Sequence, residues 1–375
     1  MANALLLGGG APTLTLQSGA LAAFHQHGAK FHAVSTAGAG MVIGLLYAAP
    51  KHGDVQKALE DTREMGVDDL LYGMLPVNFK VFFKPGAGAA AWRAYLNSLP
   101  RFDFSGLPFG RFWSDWWALA FSTLSPSDLA LSSLGLCEHA PWIDEIVDFD
   151  KLKREFKGEF YMNAYCIDDQ KMQIFTKDEI GPDHFRAALA FPLIYPPFEL
   201  NGKTYIEGSA LDTLCFGGLL RYRDDRLKKE REDKNRSNKL AAHEPLEHVV
   251  VFDVLSSDRI IRKPKNLYDA WIQSIMIPLV EIAKDDVEIF QHKYNEPNPA
   301  SGRQGWGLKL HKLQFDIPDE QWPYVLDWSY SNLKTLYDVG YAAGDRFCRD
   351  PANAWLFEAP EPRAGELETG RGAAA

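Results

Sequence analysis

The chain opens with a short apolar run that stops at three consecutive glycines. Ala4-Leu5-Leu6-Leu7 contains no polar residue, which is typical of a parallel strand buried on both faces of its sheet. Gly8-Gly9-Gly10 follows directly, and residues 19–28 then carry apolar side chains at helical spacing, with Gly28 placed to end the helix. A strand, a glycine turn and a helix in this order indicate an α/β fold.

A second unit of the same kind comes next. Residues 31–35 predict a strand, Thr36-Ala37-Gly38-Ala39-Gly40 a sharp turn of small residues, and residues 41–47 a buried helix. The same texture returns later, with strands predicted at 160–166, 172–175 and 248–255, and with helices at 185–190 and at 271–286, the last interrupted at Pro278. We therefore predict a three-layer α/β/α fold.

An aromatic-rich stretch separates the two parts of this pattern. Phenylalanine, tyrosine and tryptophan crowd residues 70–145, and prolines at 76, 85, 100, 108 and 126 divide the stretch into short segments. We interpret it as a mainly helical cap inserted into a single domain over 1–358, with 359–375 as a flexible tail. The cap is either a second small hydrophobic core or a lid over an apolar pocket, whose aromatic side chains then contact a membrane.

Composition narrows the range of partners. Forty Lys and Arg against fifty Asp and Glu give a net charge of -10, which argues against nucleic-acid binding, because that function needs a basic face. The four cysteines form no CxxC pair and the histidines show no ligand spacing, so we expect no disulfide framework, metal site or cofactor. The chain has no long apolar run and no signal peptide, which predicts a cytoplasmic protein.

Three segments hold the residues that can perform chemistry. The backbone N–H groups of Gly8, Gly9 and Gly10, at the edge of the sheet, can hold an anion or a developing oxyanion. The turn at 36–40 has the small residues of a nucleophile elbow, although it lacks the serine at the tip. Glu207-Gly208, at the end of a predicted strand, can present a carboxylate to a neighbouring turn.

In order and spacing these segments resemble the patatin-like phospholipases. That family has a glycine-rich oxyanion loop after its first strand, then a GxSxG elbow, and a distant DGG or DGA motif. The resemblance covers 1–50 and 160–215, runs without a gap from 19 to 41, and follows the family's approach to its catalytic acid over 185–208. It implies the patatin-like fold and a Ser–Asp dyad that hydrolyses lipid acyl esters without a histidine.

The catalytic positions depart from the family pattern. Without a gap, Gly38 occupies the nucleophile position, whereas a shift of one or two residues places Ala37 or Thr36 there. The acid is Glu207 in place of aspartate, and Pro12-Thr13 replaces the family's Arg-Gly after the glycine loop, which removes a backbone donor. Because loss of a nucleophile lowers the rate by several orders of magnitude, we expect weak or no ordinary hydrolase activity.

Three hypotheses follow for a protein of lipid metabolism. It binds acyl lipids or fatty-acid esters without hydrolysing them. It hydrolyses or transfers acyl groups with Thr36 or Ser35 as the nucleophile. Or Glu207 activates a water at the position of the missing serine oxygen. A simpler interpretation is that the glycine turns are only tight turns. Asp212 is either a second functional carboxylate or a solvated acid at a strand end.

Overall fold

The computed structural model describes residues 2–11, 13–100, 104, 106–234, 245–299 and 304–357. Its strands are β1 (Ala2–Leu7), β2 (Ala33–Thr36), β3 (Glu159–Cys166), β4 (Lys171–Thr176), β5 (Phe198–Leu200), β6 (Lys203–Glu207), β7 (Leu246–Phe252) and β8 (Lys309–Lys312). They form one eight-stranded sheet in the order β5-β6-β3-β2-β1-β7-β8, with β4 also paired to β3. Strands β3, β2, β1, β7 and β8 run parallel to one another, whereas β4 and β6 are antiparallel to β3.

Helices cover both faces of the sheet. They are α1 (Leu14–Gln26), α2 (Gly40–Ala48), α3 (Val55–Glu60), α4 (Asp69–Met74), α5 (Ala87–Ser98), α6 (Gly110–Leu124), α7 (Ile143–Ile146), α8 (Phe149–Glu155), α9 (Pro182–Ala188), α10 (Phe216–Lys234), α11 (Leu267–Phe290) and α12 (Tyr330–Arg349).

The central strand shows how the layers are built. Side chains alternate along β1, so that Leu5 and Leu7 join the core formed with α1 and α2, whereas Leu6 joins a second core with Leu219 of α10 and Phe290 of α11. A strand buried on both faces needs apolar residues at every position, which explains the uninterrupted run at 4–7. The predicted three-layer α/β/α arrangement is confirmed.

Element boundaries differ from the predictions where burial hides the pattern. Helix α1 begins at Leu14 instead of residue 19. Its first eleven residues are all buried, polar ones such as Gln17 included, so the start of the helix has no apolar face opposite a polar one. The predicted interruption of α11 at Pro278 is wrong, because the helix continues through it. Pro278 has no N–H group to donate to the carbonyl of Ser274, one helical turn earlier. Both residues are exposed, so water can donate to that carbonyl instead.

The stretch predicted as a cap contains α4, α5, α6 and α7, and its described residues form no strand. Asp115 on α6 ties this helix to the start of the stretch, because its buried carboxylate accepts a hydrogen bond from Asp68 N at 2.7 Å and pairs with Lys80 Nζ at 3.0 Å. The predicted tail at 359–375 lies outside the described residues.

Helix α12, which we did not predict, packs directly on α1. A β-carbon on Gly340 would lie 2.0 Å from Leu16 O, and one on Gly19 would lie 2.0 Å from Tyr337 O. The two helix backbones therefore touch, and only glycine fits at these two positions. This contact holds the C-terminal part of the chain against the first α/β unit.

Candidate active site

The turn between β2 and α2 has the backbone of a nucleophile elbow. Gly38 lies at its tip with φ +51, a left-handed conformation that residues with a side chain seldom adopt. At the start of α2, a β-carbon on Gly40 would lie 2.5 Å from the carbonyl oxygens of both Leu7 and Gly8. Glycine at position 40 therefore allows the turn to approach the end of β1 closely.

Two side chains from another loop fill the space in front of Gly38. A β-carbon on Gly38 would lie 2.6 Å from Glu207 Oε1 and 2.6 Å from Ser209 Oγ. Gly9 approaches from another side, since a β-carbon there would lie 3.2 Å from Ser209 Cβ. The structure therefore brings together Gly9, Gly38, Glu207 and Ser209, which come from three separate segments of the sequence.

Glu207 and Ser209 form a hydrogen-bonded pair. Strand β6 ends at Glu207, a 3₁₀ turn over Gly208–Ala210 follows, and the Ser209 hydroxyl donates to the Glu207 carboxylate. Burial raises the pKa of Glu207 to about 7, while the hydrogen bond from Ser209 acts in the opposite direction. A carboxyl group with a pKa near 7 can accept and return a proton at neutral pH.

Both side chains line an apolar cavity of about 180 Å³, which we call the Glu207 cavity. Its wall is formed by aliphatic and aromatic side chains of the α/β body and of the cap, including Val42, Val81, Phe82, Trp142, Leu189, Phe191, Ile194, Tyr195, Met276, Leu279 and Trp328. A second cavity of about 710 Å³ shares Met65, Val81 and Trp142 with it and carries several acidic groups. A buried carboxyl group in an apolar pocket is a common feature of functional sites.

The glycine loop supplies fewer donors than we predicted. The Gly8 N–H donates to Phe252 O at 3.3 Å and the Gly9 N–H donates to Thr213 O at 3.0 Å, so both are already engaged. Gly10 and Ala39 also line the Glu207 cavity, and their N–H groups have no acceptor among the described residues. Of the three glycines, Gly10 is thus the one with a donor left for an oxyanion, and Ala39 follows the elbow tip.

The other predicted hydroxyl groups lie away from the cavity. Thr36 Oγ1 donates to Tyr161 O at 2.9 Å, and Ser35 Oγ donates to Cys215 O at 2.7 Å. Both side chains and that of Ala37 are completely buried, and none of the three residues lines the Glu207 cavity. Ser35 packs against α10, where a β-carbon on Gly218 would lie 2.1 Å from its hydroxyl oxygen.

Sequence reasoning missed Ser209, although a signal was present. The family motif has glycine or alanine two residues after the acid, whereas this chain has Glu207-Gly208-Ser209. The tight turn is retained, because a β-carbon on Gly208 would lie 2.6 Å from Asn163 Cγ. This chain therefore lacks a hydroxyl group at position 38, where the family has its serine, and has one at position 209, where the family has glycine or alanine.

Asp212 is half-buried and is not part of the cavity wall. Its carboxylate accepts a hydrogen bond from Cys215 N at 2.8 Å, and burial raises its pKa. The pKa of Asp286 on α11 is raised to about 7, first by burial and then by the charge of Asp212. Asp286 in turn accepts hydrogen bonds from the Thr213 N–H and hydroxyl. These two acids therefore hold the loop that follows Glu207.

Two further features concern the whole described chain. Its histidine, cysteine and acidic side chains nowhere gather in a group of three or more that could hold a metal ion. Within the same residues, every helix is too short or too polar to cross a membrane.

The family is established by a model of the patatin-like phospholipases, which matches residues 5–220, more than half of the chain. The chain therefore belongs to the patatin-like phospholipase family. Among solved structures, the crystal structure of VipD from Legionella pneumophila is similar at 11% identity with a TM-score of 0.33, over 90% of this chain and 66% of that chain. This chain thus spans slightly less than two thirds of VipD. No curated protein matches it significantly.

Proposed function

We propose that this protein binds acyl lipids, with the fatty-acyl chain in the Glu207 cavity and the ester group near Gly10 and Ala39. The family implies lipid substrates. The observation that carries the proposal is the position of Glu207 in the wall of an apolar cavity that the elbow, the glycine loop and the cap form together. Apolar walls suit the chain, and free N–H groups suit the carbonyl oxygen.

The Ser–Asp dyad of the family is not present in this chain. Position 38 carries no hydroxyl group, and the space a serine would occupy holds Glu207 and Ser209. Thr36 and Ser35, the alternatives nearest in sequence, donate to backbone carbonyls in the interior. The family's usual Ser–Asp chemistry therefore has no nucleophile at the elbow.

Hydrolysis of an acyl ester is the second candidate function. The raised pKa of Glu207 favours it, because a group with a pKa of about 7 can serve as a general base at neutral pH. A Glu207-activated water and a different side-chain nucleophile are the two forms this hydrolysis can take.

We also propose peripheral contact of the cap with a membrane on its cytoplasmic side. Trp113, Trp116 and Trp117 on α6 are each more than 40% exposed, and Phe109 just before that helix is 79% exposed. Aromatic rings of this kind partition into the interface of a bilayer. With a net charge of -10, the chain would depend on these rings more than on attraction to anionic lipids.

Native mass spectrometry of the purified protein tests acyl-lipid binding. We expect a bound fatty acid or acyl ester, or uptake of an added nonhydrolysable acyl ether lipid. Leu279→Trp fills the Glu207 cavity and should lower the bound fraction at least tenfold. Ile277→Trp, on the exposed side of the same helix, is the matched control and should bind as the parent does. Equal binding by both variants, or no binding by the parent, would contradict the proposal.

A further inference from the structure

We propose that Ser209 is the nucleophile of this site, with Glu207 as its general base, so that acyl esters are cleaved through an acyl-Ser209 intermediate. The proposal deepens the proposed function and rests on it, since an acyl lipid must first occupy the Glu207 cavity. It assigns the reactive hydroxyl group to the loop of the acid, in the space in front of Gly38.

The position of the Ser209 hydroxyl carries this inference. Ser209 Oγ lies 2.6 Å from the point where a β-carbon of residue 38 would stand, and it donates a hydrogen bond to the Glu207 carboxylate. Both residues line the Glu207 cavity, whereas the hydroxyl groups of Ser35 and Thr36 do not. A hydroxyl group that is hydrogen-bonded to a buried base in the wall of a cavity is the arrangement that nucleophilic catalysis requires.

The glycine at position 38 is part of the same arrangement. Any side chain there would overlap Ser209, because a β-carbon on Gly38 would also lie 3.0 Å from Ser209 Cβ. The longer carboxylate side chain of Glu207 reaches the hydroxyl group two residues further along its own loop. A side chain at position 38 and the serine at position 209 are therefore sterically incompatible, and glycine at 38 leaves room for Ser209.

The proposed reaction is hydrolysis of the acyl ester in two steps, with water as the second substrate. Ser209 Oγ attacks the ester carbonyl while its proton passes to the Glu207 carboxylate, and the carbonyl oxygen becomes an oxyanion near the N–H groups of Gly10 and Ala39. Collapse breaks the ester C–O bond, and the Glu207 proton goes to the leaving alcohol. A water then attacks acyl-Ser209 and gives its proton to Glu207, which returns it to Ser209 as the fatty acid leaves.

The experiment is labelling with an alkyl fluorophosphonate, followed by peptide mapping and by turnover of p-nitrophenyl butyrate. We expect the adduct on Ser209 and loss of both labelling and turnover in Ser209→Ala. Glu207→Gln should lower the labelling rate about 100-fold or more, as expected for loss of a general base. The parent's labelling rate should rise as the pH passes through about 7, where Glu207 loses its proton.

Ser18→Ala is the matched control. Its hydroxyl group is also buried and donates to a backbone carbonyl, that of Leu59, at 2.7 Å, so this variant should label and turn over as the parent does. Ser209→Gly is a second test variant should Ser209→Ala fold poorly. An adduct on Ser35 or Thr36, or full turnover in a folded Ser209 variant, would overturn the proposal.

Measuring acyl-lipid binding on the same protein distinguishes failure of the Ser209 mechanism from failure of the proposed function. A parent protein that binds an acyl lipid but neither labels nor turns over would overturn the role of Ser209 and leave the binding function in place. A protein that does not bind acyl lipid and does not label would overturn both.

Discussion

At position 38 the backbone retains the left-handed conformation of an elbow tip, while the side chain is absent. Glu207 and Ser209 fill the resulting space and form a pair that is buried beside an apolar cavity. The three positions depend on one another, because a side chain at 38 and a side chain at 209 compete for one volume. Substitutions at these positions should therefore be strongly non-additive.

Restoring the family residues should need three changes. In Gly38→Ser with Glu207→Asp, the new serine still meets Ser209, so we expect a loss of about 1–3 kcal/mol of stability from overpacking. Adding Ser209→Gly should recover most of that loss and give turnover of p-nitrophenyl butyrate. Urea unfolding and initial rates measure the two effects. The control is Glu207→Asp with Ser209→Gly, which has no hydroxyl group and should be inactive. A triple variant no more stable than the double variant would argue against this packing.

Glu207 should make the protein less stable as pH rises. The native state raises the pKa of Glu207 from 4.5 to about 7 by burial, so it holds the proton more tightly than the unfolded chain does. The free energy of unfolding therefore falls between about pH 4.5 and 7, and Glu207→Gln removes this dependence. At pH 8 we expect the variant to be more stable by on the order of 1–3 kcal/mol, with little difference near pH 4.

Urea unfolding at pH 4, 6 and 8 measures this dependence. Glu199→Gln, an exposed change on the neighbouring strand β5, is the control and should follow the parent at each pH. A Glu207→Gln variant that loses stability relative to the parent as pH rises would show that the carboxylate is stabilised by partners and not penalised by burial.

At the scale of single elements, helix α6 carries the tryptophans in an unusual way. The helix buries Asp115 and packs apolar residues such as Leu119 against the core. Trp113, Trp116 and Trp117 nevertheless stay partly exposed and touch one another edge to face. Most amphipathic helices bury their aromatic residues and expose their acids. The exposed rings fit a helix that also meets a second apolar surface beside its own core.

Replacing the three tryptophans of α6 by alanine should weaken membrane binding. We expect at least a tenfold loss of binding to phosphatidylcholine vesicles in co-sedimentation, with little change when salt is raised, because the rings and not charges supply the contact. Ile289→Ala, which removes an exposed apolar side chain from α11, is the control and should bind as the parent does. Binding that is unaffected by the triple replacement, or abolished by salt, would contradict this role of the cap.

The sequence predicted the elements whose pattern depends only on residues that are neighbours in the chain. Apolar runs and glycine turns were sufficient for β1, β2, α2 and the three layers, and the family motif pointed to Glu207 and to the turn at 36–40. Ser209 was missed because its importance depends on a contact between the acid loop and the elbow, which are far apart in sequence. Helix α12 was missed because its glycines, which read as helix-weakening residues, are needed for contact with α1.

At the scale of the whole molecule, the part matched by the family model is not a complete sheet. Strand β7, beyond residue 220, pairs with β1 along its full length, and α12 packs its backbone on α1. The residues after 220 therefore support the strand and helix that flank the glycine loop. A substitution that separates α12 from α1 should therefore shift the glycine loop and so disturb the Glu207 cavity.

Gly340→Leu should destabilise the protein strongly. The added side chain would overlap Leu16 O, so the two helices must separate and their buried apolar contacts must open, at a cost of about 3 kcal/mol or more. Asp338→Leu, on the exposed side of α12, is the matched control and should change stability by less than about 1 kcal/mol. Thermal unfolding measures both. A Gly340→Leu variant with the parent's unfolding temperature would contradict the close packing of α1 and α12.

The crystal structure of the protein after reaction with a long-chain alkyl fluorophosphonate tests the central claim most directly. Our account predicts phosphorus bonded to Ser209 Oγ, its oxygen near the N–H groups of Gly10 and Ala39, and the alkyl chain in the Glu207 cavity between Val42 and Met276. Phosphorus on any other side chain, or an unmodified Ser209 with the chain bound outside the cavity, would contradict it.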